Sequence, residues 1–453
     1  MIDLPNIQKA YFVGIGGIGM SALARYFRML GAEVHGYDKT PSPLTALLAG
    51  EGMHIHFDDR PDLIPQDIDL VVVTPAVPES LRELRQLRKT KVPLLKRAEV
   101  LGLISQKHRT IAVAGTHGKT SVTALIAHLL HSGGIPVTAF IGGILKNIRS
   151  NCVISDHPEY VIIEADEYDR SFLQLLPHVA VITSIDADHL DIYGSRDNLV
   201  RSFNTFISKV DNHGKIFAET ANIDLLEGSN IQGYGLSAEA GNRITNYKVQ
   251  DGFQHFTYRN PAILLPDLRF HLPGNYNLKN AAAAISVALH CGLPAEKVRK
   301  GLSTFEGVER RFDIRYRGHH KIYIDDYAHH PEEIRACISA VRTLFPGMRL
   351  TGAFQPHLYS RTADFAAGFA ESLEALDEII LLPIYPAREE PIPGITSEII
   401  YDRMHHAKKY LSDKENFLQK TDELKPELFV TMGAGDIDRF VEPLKAYFEK
   451  NDQ

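Results

Sequence analysis

The sequence predicts an α/β protein of three successive domains, and three observations lead there. Apolar, strand-like runs alternate with helical stretches in the first and last thirds of the chain, the pattern of parallel sheets covered on both faces. Two glycine-rich turns, around Gly14 and around Gly115, each follow an apolar run and precede a helical one. Between them and the last third, residues 214–275 change character. Short stretches punctuated by Gly and Asn, such as 252–258, read as antiparallel strands added to a central domain.

The first segment, residues 1–106, starts with a strand over 10–13, the turn Gly14-Ile-Gly16-Gly17-Ile-Gly19, and a helix over 20–30. Strands over 33–37, ending at Asp38, and 69–74 follow. The second segment, 107–313, opens on the buried run 110–114 and carries further strands at 160–164 and 179–183. Its alanine-rich stretch 277–289 reads as a helix. The third, 314–453, alternates strands at 321–325, 349–354 and 378–382 with helices at 332–344 and 362–373. The N-terminal and C-terminal segments therefore read as Rossmann-like, and the central one as a P-loop ATPase-type domain.

Composition narrows the function. With 453 residues, 44% apolar and 23% charged, the chain has an ordinary globular balance. A formal net charge of −7 argues against non-specific nucleic-acid binding. Three scattered cysteines, with no CxxC, suggest neither a zinc cluster nor a disulfide framework. No apolar run approaches the roughly 18 residues of a membrane span, and the N-terminus lacks signal-peptide character, so a reducing cytoplasm is expected.

The most informative stretch is Gly115-Thr116-His117-Gly118-Lys119-Thr120-Ser121, set between a buried strand and a helix. Such a turn aims several backbone N–H groups and one ammonium at a single spot, which suits a nucleoside triphosphate. Lys119 would neutralise the β- and γ-phosphates, and the Thr120 hydroxyl would hold magnesium. Val113 stands where the standard loop has its first glycine, so this is a shortened version. Gly14, Gly16 and Gly19 form G-x-G-x-x-G, with Asp38 about twenty residues on. That fingerprint indicates a diphosphate at a helix N-terminus and does not by itself indicate nicotinamide.

Two acidic runs end predicted strands. Glu164-Ala-Asp166-Glu167-Tyr-Asp169 would repel itself strongly unless a cation were present. An acidic run is often just a solvated loop, but the carboxyl end of a parallel strand is the usual ligand edge. Glu164 is best placed to point into a cleft. Asp186-Ala-Asp188-His189-Leu-Asp191 offers His189 as a second metal ligand. Imidazole is unusual for magnesium, so manganese also fits. Asn277 and Asn280 share a helix face and can read an adenine edge, although Asn277 could simply cap the helix.

Together with Arg310-Arg311-Phe, Asp325-Asp-Tyr-Ala-His329-His-Pro and Phe354-Gln-Pro-His357, these motifs resemble the Mur ligases over essentially the whole chain. Within that family the pattern is most similar to the member that adds L-alanine to UDP-N-acetylmuramate. The resemblance implies ATP-dependent amide formation through an acyl phosphate, in peptidoglycan precursor synthesis. It implies that Gly14, Gly16, Gly17, Gly19 and Asp38 hold the UDP part, and that Gly115 to Ser121 cradle ATP with Lys119 on its phosphates. Thr120, Glu164 and His189 would bind magnesium, while Asn277 and Asn280 would contact adenine. Arg311 and Asp325 would lie at the junction that closes over the nucleotide. Tyr327, His329, His357 and Arg361 would line the amino-acid site, with His329 as the base that takes the ammonium proton.

Several positions depart from the family pattern. Tyr37 replaces a serine and is expected to change the rim of the nucleotide site; Tyr276 replaces a histidine. Leu358 replaces an arginine, leaving the amino-acid carboxylate to Arg361, either alone or with a basic residue from elsewhere in the chain. Residues 190–208 contain no lysine, whereas sister enzymes place a carbamylated one there. A sister ligase that attaches a recycled tripeptide is the alternative. Monomer and homodimer are both open.

Overall fold

A computed structural model describes residues 2–186, 190–387, 389–406 and 408–452. The chain divides into two compact units. The first comprises Met1–Tyr247, Phe256–Arg269 and Lys279–Glu306; the second comprises Lys248–His255, Phe270–Leu278 and Gly307–Gln453.

The first unit contains a five-stranded parallel sheet in the order His54–His56, Glu33–Tyr37, Lys9–Val13, Leu70–Val73, Leu94–Lys96. The run Lys9–Val13 is central and almost wholly apolar because both its faces are covered. Phe12 packs with the helix Ile18–Met29, which is amphipathic, on one face. Tyr11 and Val13 pack on the other face with Leu84 and Leu87 of the helix Arg82–Leu87.

The larger sheet centres on Thr110–Ala114, flanked by Val179–Ile182 and Tyr160–Glu164, all parallel and buried. The helix Lys119–Ser132 leaves the end of Thr110–Ala114 and packs on Val137–Leu145. Asn151 on Ser150–Val153 ties this sheet to the N-terminal one. Its amide donates to Ser21 Oγ at 2.8 Å and accepts from the guanidinium of Arg25, both on the helix Ile18–Met29. The two glycine turns therefore belong to one compact unit.

One expectation is corrected here. Lys215–Glu219 and Ile231–Gly235 extend the central sheet in parallel, not antiparallel. The loops between these strands are long enough for crossovers, with the helix Arg196–Ile207 before the first and the turn Thr220–Leu225 between the two. Asn242–Gln250, Phe253–Arg259 and Leu264–Phe270 follow at the sheet's edge.

The second unit has a six-stranded sheet in the order Asp313–Arg317, Ile322–Asp326, Leu428–Met432, Leu350–Phe354, Glu378–Leu381, Lys409–Leu411. Only the first pair is antiparallel. The helices Pro331–Leu344 and Tyr359–Leu373 pack against one another on one face through Ile334, Ile338, Phe369 and Leu373.

Candidate active site

The phosphate loop takes its shape from two glycines. Gly118, at φ +82°, begins the helix Lys119–Ser132, and a Cβ there would come 2.9 Å from Asn280 Oδ1. Gly115, at φ +140°, lies against Thr183 and Ser184 at the end of the neighbouring strand, where a side chain would collide. Ser184 Oγ shares a hydrogen with Thr116 Oγ1 at 2.8 Å and accepts from His117 N–H at 2.8 Å. The loop is thus pre-formed.

Lys119 is nearly enclosed. Its ammonium donates to Gly115 O at 2.7 Å and lies 2.7 Å from Glu167, a fully buried carboxylate. Burial alone would lower the Lys119 pKa, but the charges of Glu167, Asp166 and Glu164 outweigh it and raise the value above that of an ordinary lysine. The ammonium therefore stays charged. Sequence reasoning placed Glu167 only within an acidic run; its role as the partner of Lys119 depends on the three-dimensional loop.

Glu164 points inward as expected. Its Oε1 accepts from Thr120 Oγ1 at 3.0 Å, and its Oε2 accepts from Gly142 N–H at 2.9 Å. Gly142, in Val137–Leu145, must lack a side chain because a Cβ would fall on the Glu164 carboxyl group. A carboxylate and a hydroxyl within hydrogen-bond reach form the all-oxygen donor set that magnesium prefers, so these residues fit the ion. His189 lies outside the described residues. Asp186, before it, stands 3.8 Å from His117 Nε2.

At the first turn, Gly14 N–H and Ile15 N–H donate to Tyr37 O at 2.8 and 3.1 Å. Asp38 accepts from Gly16 N–H at 2.8 Å and from Thr40 N–H at 3.1 Å, so its carboxylate braces the turn it was expected to serve. The Tyr37 ring is buried against His56, their centroids 5.6 Å apart; it belongs to the core and does not form a rim. Gly17 precedes the helix Ile18–Met29. Above Gly19 lies Arg97, whose guanidinium occupies the space of the missing side chain and donates to Asp166 at 3.3 Å. Arg97 joins the first glycine turn to the acidic run. The sequence carried no signal for it beyond a basic residue opening a helix.

Asn277 and Asn280 are both buried on the helix Asn275–His290. The helix begins two residues before Asn277, so Asn277 is not its cap. Its amide donates back to Pro273 O at 2.8 Å.

In the second unit, Asp325 is fully buried and pairs with Arg310 Nε at 3.2 Å, while Thr431 Oγ1 donates to it at 2.7 Å. Arg311 lies over the Tyr327 ring, 4.8 Å from its centroid, and Arg310 approaches the same ring at 5.1 Å. His329 Nδ1 donates to Tyr327 O at 2.9 Å and lies 3.2 Å from Glu333, which leaves Nε2 as the lone-pair nitrogen. Burial lowers the His329 pKa to about 4, with Glu333 opposing and Arg361 assisting. The His357 ring is 6.2 Å from His329 and stacks on Tyr385 at 5.8 Å. Leu358, between His357 and the buried Arg361, holds φ +69° and ψ 138°, a strained conformation for a branched residue.

This phosphate loop with an inward carboxylate defines a nucleotide-dependent enzyme, and comparison with known proteins identifies the family. Residues 9–109 match the model described as Mur ligase family, catalytic domain; 113–288 match the Mur ligase middle domain; 310–435 match the Mur ligase, glutamate ligase domain. A UDP-N-acetylmuramate–L-alanine ligase of Flavobacterium johnsoniae is 45% identical over 99% of this chain and 100% of its own. One from Parabacteroides distasonis is 46% identical over 98% of each. The chain belongs to the Mur ligase family. Its fold is also similar to the crystal structure of a UDP-N-acetylmuramate-alanine ligase from Thermotoga maritima, with TM-score 0.84, 28% identity, and 98% and 99% of the two chains covered.

Proposed function

We propose that this chain joins L-alanine to the lactyl carboxylate of UDP-N-acetylmuramate, using ATP, in peptidoglycan precursor synthesis. The observation that carries this reading is near-full-length identity of 42–46% to ligases of that name. The lactyl carboxylate attacks the γ-phosphorus, ADP leaves, and an acyl phosphate forms. The alanine nitrogen then attacks the acyl carbon, phosphate leaves, and the amine gives up a proton.

Each described group has work in this scheme. Loop N–H groups and Lys119 hold the phosphates and offset charge on the phosphoryl group in transit. Thr120 and Glu164 would hold magnesium, with His189 proposed beside them. When bound, the ion supplies further positive charge at the phosphates. Asn277 and Asn280 are assigned to the adenine end of the nucleotide, a role that the resemblance implies and that two buried amides on one helix can serve. The turn of Gly14, Gly16, Gly17 and Gly19 takes the UDP diphosphate, braced by Asp38. Tyr327, His357 and Arg361 are assigned to alanine, Arg361 to its carboxylate. His329 is neutral above pH 4 and a weak base. It suits orientation of the amine through an accepted hydrogen bond better than storage of its proton.

The rival reading, attachment of a recycled tripeptide, has less support. A murein peptide ligase from Psychrobacter arcticus matches the fold at TM-score 0.72 and 21% identity, below the alanine ligase. Mass spectrometry of a reaction containing isotopically labelled L-alanine distinguishes the two. Labelled UDP-N-acetylmuramoyl-alanine is expected. A product formed from tripeptide but not from alanine would move the assignment to the rival.

A further inference from the structure

Far from the phosphate chemistry, at the starting ends of the N-terminal strands, three ligating side chains converge. Glu33 and His35 are two residues apart on Glu33–Tyr37 and so share a face. His54, on the edge strand His54–His56, is the direct register partner of His35 in a parallel pair, on that same face. The two imidazoles stack with centroids 4.6 Å apart and planes inclined by 25°. Both Nε2 atoms face one oxygen, Glu33 Oε1, at 2.7 Å from His35 and 3.9 Å from His54. One ligand atom from each residue lies within 4.8 Å of the other two.

We propose that Glu33, His35 and His54 form a binding site for a zinc-class transition-metal ion. A tetrahedral zinc shell with bonds near ~2.0 Å sets its ligand atoms roughly 3.3 Å apart, and the observed separations bracket that value. The stacked His54 ring must turn out of the stack to aim its Nε2 at a shared ion, which its exposure leaves it free to do, while His35 is held at 17% exposure. The ion replaces the proton now shared between His35 and Glu33, and solvent fills the fourth position. Lys9 Nζ sits 3.3 Å from Glu33 Oε2, the oxygen turned away from the imidazoles, and orients the carboxylate from behind. Two nitrogens and one oxygen suit zinc, copper or nickel better than magnesium, which separates this site from the Thr120–Glu164 pair. An exposed His on the edge strand, with a Glu on the strand beside it, could serve only to discourage edge-to-edge pairing. That role does not require three groups to converge on one point. Bound metal would pin the three-residue edge strand to its neighbour.

The test is a zinc titration of the purified full-length protein against a chromophoric chelator, carried out in the Glu164→Gln background to silence the phosphate site. One equivalent is expected to bind and to raise the melting temperature. The double variant His35→Asn/His54→Asn in that background is expected to bind at least about tenfold more weakly, with no melting shift on adding zinc. His54→Gln alone, at the most exposed position, guards against misfolding and is expected to weaken binding as well. Cobalt substitution should give visible bands of tetrahedral character that disappear in the double variant. Affinity and stoichiometry unchanged in the double variant, or no zinc binding once Glu164 is replaced, would overturn the proposal.

Discussion

Replacing Gly142 by Ala tests whether Glu164 is fixed by its surroundings. A Cβ at position 142 would stand 2.6 Å from the Glu164 carboxyl carbon, whereas ordinary contacts begin at 3.4 Å. The carboxylate oxygen Oε2 would be nearer still, at 2.3 Å, so the carboxyl group must retreat by about 1.1 Å or the strand must yield. Retreat sacrifices the Gly142 N–H to Oε2 bond and loosens the contact from Thr120. Losing a hydrogen bond to a charged group costs about 1.5–3 kcal/mol. Misplacing a catalytic ligand by about 1 Å costs on the order of 100-fold in rate. Steady-state phosphate release should show kcat reduced about 100-fold, and circular dichroism should show a melting point only modestly lower. A variant within about threefold of wild type would refute a Glu164 locked in place for the metal.

Three further outcomes follow from the same geometry. Lys119→Met should lower kcat by roughly 1,000-fold, because the proposed mechanism sets its ammonium on the phosphates. Retention of more than a tenth of the activity would contradict its placement. Arg97→Met should raise KM for the sugar nucleotide about tenfold and leave KM for ATP unchanged, since Arg97 covers the Gly19 end of the first turn; a shift confined to ATP would contradict this. His329 takes up its proton near pH 4 in the folded state and near 6.5 when unfolded. Between those values the unfolded chain binds more protons, so stability falls as pH drops through 6.5 towards 4, by on the order of 3 kcal/mol. Urea titrations at pH 7.5 and 5 should show a smaller loss in His329→Asn; an equal loss would place the titration elsewhere.

Much of this was legible in the sequence because backbone chemistry dictates it. The runs 110–114 and 160–164 could only be buried parallel strands, and both begin and end as expected. The glycine turns announced themselves because Gly14, Gly115 and Gly118 take positive φ, and Gly16 and Gly19 leave no room for a side chain. What escaped was whatever depends on the partner of a side chain. Arg310 pairs with Asp325, a contact between residues fifteen apart that spacing alone cannot assign to one of two adjacent arginines. Lys215–Glu219 and Ile231–Gly235 lie in the stretch 214–275, whose Gly- and Asn-punctuated pieces suggest antiparallel strands, yet both pair in parallel through crossovers that local pattern does not reveal. Glu167, Arg97 and the exclusion of a side chain at Gly142 arise from contacts between distant segments, for which no local pattern exists.

The central claim is that one chain couples ATP cleavage to capture of an amino acid by a sugar-nucleotide carboxylate. Phosphate release by the purified protein with ATP and magnesium, with UDP-N-acetylmuramate and L-alanine added singly and together, tests it most directly. Release that requires both, with glycine and L-serine slower, is the predicted result. Release indifferent to alanine, or absent under every combination, would contradict the account.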